Sequence, residues 1–297
     1  MKIVQSLWSK PSNKTAEINI NDRNIGGWLN KKYYCLSWAL SCLQFKKFYN
    51  DVELVTDQPG YELLINHLRL PYTNVHVVLD ALDSYHPDLW SLGKIYAYGM
   101  QRTPFIHADG DVFIWEQFSE NVCKSHLIAQ NLEVNFEYYS TIYDSVKKYF
   151  KFIPQVLEGS IKYNKGQILA ANAGILGGSD NDFFQDYSQI AFEFVEKNLD
   201  GLKNVNVGLF NIIAEQFLFH SLAEQKGYRI NYLLQNLNKS YDGICELTDV
   251  PVLTKYAHAV GHYKKKLNIC SLIEYRLQVD FPDYYYKILN LLKTSQI

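Results

Sequence analysis

The stretch Phe105-Ile-His-Ala-Asp-Gly-Asp-Val-Phe-Ile-Trp115 sets two carboxylates, Asp109 and Asp111, between two apolar runs. Acids at i and i+2 of an extended backbone project to one side, roughly 6 to 7 Å apart, close enough to share a hard cation through oxygen ligands. For three residues alone, a surface Asp-Gly-Asp turn is the plainer expectation. The flanking Phe-Ile and Val-Phe-Ile-Trp weigh against it, because burying an acidic pair without a partner costs on the order of several kcal/mol. A cation is the simplest partner.

Upstream of this stretch, apolar periodicity alternates between strand and helix. Ile3 to Trp8 reads as a strand, and Ser9 to Gly27 as a polar loop long enough to be functional. A helix from Asn30, with Leu36, Leu40 and Leu43 on one face, leads to a strand at Val52 to Thr56 that ends in Asp57-Gln-Pro-Gly60. Then follow a helix at Tyr61 to Leu68, a strand at Val75 to Leu79, a helix at Leu89 to Met100 and the strand Phe105 to His107. This alternation predicts an α/β fold with a mostly parallel sheet, which binds ligands beyond the carboxyl ends of its strands, where Asp57 and the acidic pair lie. Downstream, strands are expected at Leu127 to Ala129, Gln167 to Leu176 and Val252 to His258. Helices are expected at Tyr138 to Phe150, Asp182 to Asn198 and Asn211 to Lys226, with one or two more in the aromatic tail from Leu267. No repeat, low-complexity tract or linker divides the 297 residues.

The composition narrows the function. With 29 basic and 31 acidic side chains the net charge is -2, which offers no field for a polyanion and argues against a nucleic-acid partner. Five cysteines at 35, 42, 123, 245 and 270, with no Cys-x-x-Cys pair, fit reduced thiols in a cytoplasmic protein. The N-terminus is too polar for a signal peptide, and no run approaches the roughly 18 apolar residues of a membrane span. A peripheral membrane contact through the C-terminal tail stays open.

A second informative segment is His258-Ala-Val-Gly261-His-Tyr-Lys264, at a predicted strand end. A histidine suits a transition metal, a glycine lets backbone approach a phosphate, and a lysine three residues on can neutralise it. Together, the Asp-x-Asp and His-x-x-Gly-x-x-Lys segments resemble the GT-A nucleotide-sugar glycosyltransferases, most closely the family-8 type. The resemblance spans residues 1 to about 266 and implies a Rossmann-like GT-A domain. Residues 1–115 would be its nucleotide-binding half and 116–266 its donor-sugar and acceptor half, and 267–297 a helical tail.

The same resemblance implies site roles. Asp109, Asp111 and His258 would bind manganese or magnesium, and Gly261 and Lys264 would contact the diphosphate of a UDP-sugar. Asn172-Ala173-Gly174 resembles the segment that lines the donor sugar, and Glu215-Gln216 resembles an Asp-Gln pair near the anomeric carbon. Lys94 is similar in placement to a basic residue that touches the sugar. The implied activity is hexosyltransferase-like, with retention of configuration. The acceptor is left open between a saccharide, a lipid-linked glycan, a peptide and a small molecule, with the Ser9 to Gly27 loop, the Tyr138 to Tyr163 region and the tail as candidate surfaces. Two other readings are a non-catalytic sugar-binding protein, suggested by the aromatic richness, and a phosphohydrolase with Asp109 as nucleophile. The second is disfavoured by Phe113, which stands where that chemistry expects threonine or valine.

Overall fold

The structure, a computed structural model, describes residues 1–12, 24–235 and 244–297. The middle of the Ser9 to Gly27 loop, residues 13–23, lies outside them. Through the first third run β1 (Lys2–Leu7), α1 (Lys31–Phe48), β2 (Val52–Thr56), α2 (Gln58–Tyr61), β3 (Asn74–Val77), α3 (Leu92–Gly99) and β4 (Phe105–Ala108). Next come β5 (Val112–Ile114), α4 (Glu120–Cys123), β6 (Leu127–Ala129), β7 (Leu132–Val134), α5 (Glu137–Tyr149), α6 (Gln155–Tyr163), β8 (Leu169–Ala171) and β9 (Ile175–Gly178). The remainder holds α7 (Asn181–Glu196), α8 (Val207–Ile212), α9 (Leu218–Gln225), β10 (Ile230–Tyr232), β11 (Tyr256–His258), α10 (Leu267–Asp280) and α11 (Pro282–Lys293). Seven strands form a central sheet in the order β10-β6-β9-β4-β1-β2-β3, and β11-β5 and β7-β8 form two small ribbons. The class is mixed α/β with a mostly parallel sheet flanked by helices. Among the described residues, no helix is long and apolar enough to cross a membrane.

By contact density the chain divides into two compact units, one of Asp88–His107 and Phe118–Lys239 with Met1, the other of Lys2–Pro87, Ala108–Gln117 and Ser240–Ile297. In the second of these, β1, β2 and β3 pair in parallel, with Ile3 opposite Val52 and Leu54 opposite Val75. Every residue of β2 is buried, as a parallel strand covered on both faces requires. Helix α1 begins where the Asn30 side chain accepts the Tyr33 N–H, and ends with Lys46 and Lys47 beside its negative pole. Its Leu36, Leu40 and Leu43 pack in one core with Ile273 and Leu277 of α10 and Ile288 of α11. The other unit is held by aromatic rings: Tyr98, Phe105, Phe183, Phe184, Tyr187 and Phe219 meet edge-on, tilted or stacked, with centroids 4.8 to 6.4 Å apart.

Among the departures from the sequence expectation, three bear on the expected site residues and their strands. Gln167 to Leu176 is two strands, not one: Asn172-Ala173-Gly174 turns the chain, so β8 pairs with β7 and β9 with β6. The strand expected from Val252 is confined to Tyr256–His258, and Val252 and Leu253 stand 79% and 82% exposed. The helix expected across Asn211 to Lys226 starts at Val207 and contains a π-helical stretch, Ile213–Phe217, which carries Glu215 and Gln216. Such single-turn widenings are common at functional positions.

Candidate functional site

Asp109 and Asp111 do not sit on extended backbone. They flank Gly110 in a tight turn closed by a 3.0 Å bond from the Val112 N–H to the Asp109 carbonyl. Asp-Gly favours turn formation, and here the turn is buried, with Asp111 only 5% exposed. Side chains of β1 and α1 hold its backbone. Ser37 Oγ donates to the Gly110 carbonyl (2.8 Å), Ser41 Oγ donates to the Val112 carbonyl (2.6 Å), and Gln5 Nε2 donates to Ser41 Oγ (2.8 Å). Tyr72 fixes Gln5 in turn by donating to its Oε1 at 2.8 Å. The indole of Trp38 covers Gly110 so closely that an added Cβ would lie 2.6 Å from the ring. Gly110→Ala therefore has to push back a buried tryptophan or shift the turn, and should cost about 1–3 kcal/mol of stability. Chemical denaturation checks this, and wild-type stability in the variant would show that the turn is loosely held.

His258 reaches the turn through strand pairing. Strands β11 and β5 are antiparallel with His258 opposite Val112, and the Ala259 N–H donates to the Asp111 carbonyl at 3.0 Å. The imidazole Nε2 lies 3.3 Å from Asp111 Oδ1. One ligand atom from each of Asp109, Asp111 and His258 falls within 4.8 Å of the others. Two carboxylate oxygens and one imidazole nitrogen form a donor set that fits a divalent cation and leaves room for further ligands. Beyond His258, Gly261 adopts φ 52°, a conformation that favours glycine. Three residues on, the Lys264 ammonium lies 2.5 Å from Asp111 Oδ2 and donates to the Gly26 carbonyl at 3.2 Å. Burial works to raise the Asp111 carboxyl, but the Lys264 ammonium and the His258 imidazole beside it prevail and hold it well below the usual carboxylate range. Asp111 is therefore charged across the physiological range.

The other unit gathers the remaining expected residues into two linked networks. Glu215 is fully buried, and its Oε1 lies 3.0 Å from the Lys94 ammonium and accepts the Tyr98 hydroxyl at 2.8 Å. Lys94, 8% exposed, also donates to the Ala173 carbonyl at 3.0 Å. Asn172 Oδ1 accepts the Gly174 N–H (3.0 Å), and its Nδ2 donates to Glu133 Oε1 (2.7 Å). The Tyr139 hydroxyl bridges Glu133 Oε2 at 2.6 Å and Gln216 Oε1 at 2.7 Å. Gln216 is half-buried, whereas Glu215 is sealed.

Tyr98, Tyr139, Glu133 and Tyr256 escaped the sequence reading. Glu133 is 1% exposed and reaches Asn172 because β7 pairs with β8, placing Glu133 opposite Ala170. An acid inside a three-residue apolar strand was the available signal. Tyr256 precedes His258 on β11, and its phenol is pushed well above its usual range by burial and then by the charges of Asp109 and Asp111. Asp57, by contrast, spends its carboxylate on structure: it caps α2 at the Gly60 N–H (2.9 Å) and accepts from the Ser9 N–H (2.6 Å) and hydroxyl (2.7 Å).

The chain belongs to a family of unknown function, DUF6734, which it matches over residues 1–291. No curated protein matches its sequence. Among solved structures it is similar to an active-site mutant of LgtC, at 11% identity and a TM-score of 0.41 over 88% of each chain. It is also similar to the glycosyltransferase GlyE of Streptococcus pneumoniae TIGR4, at 10% identity and a TM-score of 0.42 over 99% of this chain and 63% of that one. Mouse xyloside xylosyltransferase 1 in its apo form is similar at 10% identity and a TM-score of 0.40, over 77% of this chain and 84% of that one.

Proposed function

We propose that this chain is a metal-dependent glycosyltransferase of the GT-A type that moves a sugar from a UDP-sugar to an acceptor with retention of configuration. The observation that carries this reading is the convergence of Asp109, Asp111 and His258, with Lys264 on the same carboxylate, from segments far apart in the chain. A nucleoside diphosphate leaves only when its developing charge is absorbed, and a manganese ion held by the three ligands would supply most of that charge. Lys264, one side-chain swing from Asp111, supplies the rest by contacting the diphosphate together with the Gly261 backbone. Asn172, Ala173 and Gly174 bind the donor sugar, with Asn172 locked by Glu133. Gln216 offers its amide oxygen to the electron-poor anomeric carbon of the transition state. Glu215 and Lys94, paired and buried, hold this wall in shape.

The burial of the carboxylates beside Gln216 supports retention. Inversion needs a carboxylate open to the acceptor hydroxyl as general base. In this cluster Glu215 is fully buried beside Lys94, and Glu133 accepts from Asn172 on one oxygen and Tyr139 on the other.

A panel of nucleotide sugars, screened by thermal unfolding with and without manganese, tests the reading. A UDP-sugar should stabilise the protein only with the metal, by about 2.7 kcal/mol at a hundred times its Kd. Proton NMR of the first product should then show the donor's own anomeric configuration. Stabilisation by no nucleotide sugar sinks the proposal, whereas an inverted anomeric signal sinks retention alone.

A further inference from the structure

The Lys264 ammonium occupies Asp111 in a way that bears on how the cation arrives. It lies 2.5 Å from Oδ2, inside the carboxylate's own bonding range, while His258 Nε2 sits 3.3 Å from Oδ1. Its other contact is the Gly26 carbonyl, 3.2 Å away, with the Trp28 ring 5.9 Å off. Gly26 belongs to a run of three left-handed residues, Ile25 at φ 52°, Gly26 at 63° and Gly27 at 82°. For Ile25, a β-branched residue, that conformation is an outlier held in place by its surroundings. Lys266, two residues beyond Lys264, lies instead over the Tyr263 ring, 3.9 Å from its centroid.

From this geometry we infer that Lys264 is a resident counter-cation of the metal site: it neutralises Asp111 in the cation-free protein, and an arriving divalent ion displaces it toward an anionic ligand. The inference rests on the reading of Asp109, Asp111 and His258 as cation ligands. Its physical basis is that a divalent ion and an ammonium cannot both bond one buried carboxylate without strong like-charge repulsion in a surrounding of low dielectric. Leaving Asp111 also releases the Gly26 carbonyl, so cation entry loosens the strained Ile25–Gly27 turn. The ammonium thus competes with the metal when no donor is present and assists it once a diphosphate gives the ammonium a new partner. Cation and nucleotide bind cooperatively as a result.

Manganese affinity, read without turnover from the loss of the free-ion electron paramagnetic resonance signal, tests this. Lys264→Met should bind manganese at least about tenfold more tightly than wild type in the absence of nucleotide, the scale of one lost charge-assisted contact. With saturating UDP the order should reverse, and Lys266→Met should match wild type in both states. Equal or weaker binding by Lys264→Met without nucleotide overturns the counter-cation role. The metal reading is tested separately: it fails, and this inference with it, if neither wild type nor Lys264→Met binds manganese. A measurement on the unaltered protein covers the case of a variant that does not fold. Reductive methylation followed by peptide mass spectrometry should modify Lys264 faster when manganese is added, relative to Lys266, and an unchanged ratio at saturating manganese overturns the inference.

Discussion

Asp111→Asn is expected to abolish manganese-dependent transfer and donor hydrolysis while the protein stays folded. The carboxylate is the hub of the site: the Lys264 ammonium lies on one oxygen and the His258 imidazole near the other, and its backbone carbonyl is tied to Ala259. An amide keeps the shape of the turn but loses the charge that makes the oxygen a ligand. Removing even an outer partner of a metal ligand lowers activity or metal affinity about tenfold to a hundredfold, so losing a ligand should cost at least about a hundredfold. The backbone bonds from Ser37 and Ser41 do not involve the carboxylate and should keep the fold intact. Turnover and manganese binding measured side by side decide the matter. Full activity in Asp111→Asn, or in wild type with excess chelator, refutes the assignment.

The largest loss of stability is expected at Lys94 and Glu215. Glu215 has no exposed surface and Lys94 is 8% exposed, so each relies on the other for its charge. Removing one partner strands a buried ion, and Lys94→Met or Glu215→Met should each cost about 3–5 kcal/mol, read as a lower urea midpoint at unchanged m. Replacing both by methionine should recover much of that, since well-packed apolar pairs often match a buried ion pair. A double-mutant cycle would then show strong coupling between the two positions. Single variants as stable as wild type would mean that the pair is solvated and unimportant to folding. Because Lys94 also holds the Ala173 carbonyl, transfer rates in these variants need scaling to the folded fraction before any catalytic role is drawn from them.

Local order was readable along the chain wherever a short-range pattern dictates it. The leucine spacing of α1 from Asn30 and the strand pattern of β2 each follow from neighbours a few positions apart, and the structure contains those elements where their patterns lie. The alternation of these patterns was enough to predict a mostly parallel α/β sheet. The Asp-Gly-Asp triplet was equally visible, but its conformation was misjudged. Apolar flanks pointed to continuous strand, whereas the chain turns at Gly110 under the Trp38 indole. Apolar flanks report burial, not direction.

What the sequence by itself determined was therefore most of the elements in the first third of the chain and the identity of the candidate side chains: two acids around a glycine, a histidine, and a lysine three residues past a second glycine. Tertiary structure alone decided which of them meet. The register of β11 on β5 brings His258 to Asp111, and the register of β7 on β8 brings Glu133 to Asn172. Folding of the Gly261–Lys265 turn lays Lys264 on Asp111, and packing seals Glu215 while its neighbour Gln216 stays half-buried. The two strand contacts depend on pairings between distant segments, whose register is set by how whole faces pack and leaves no trace in the spacing of nearby residues.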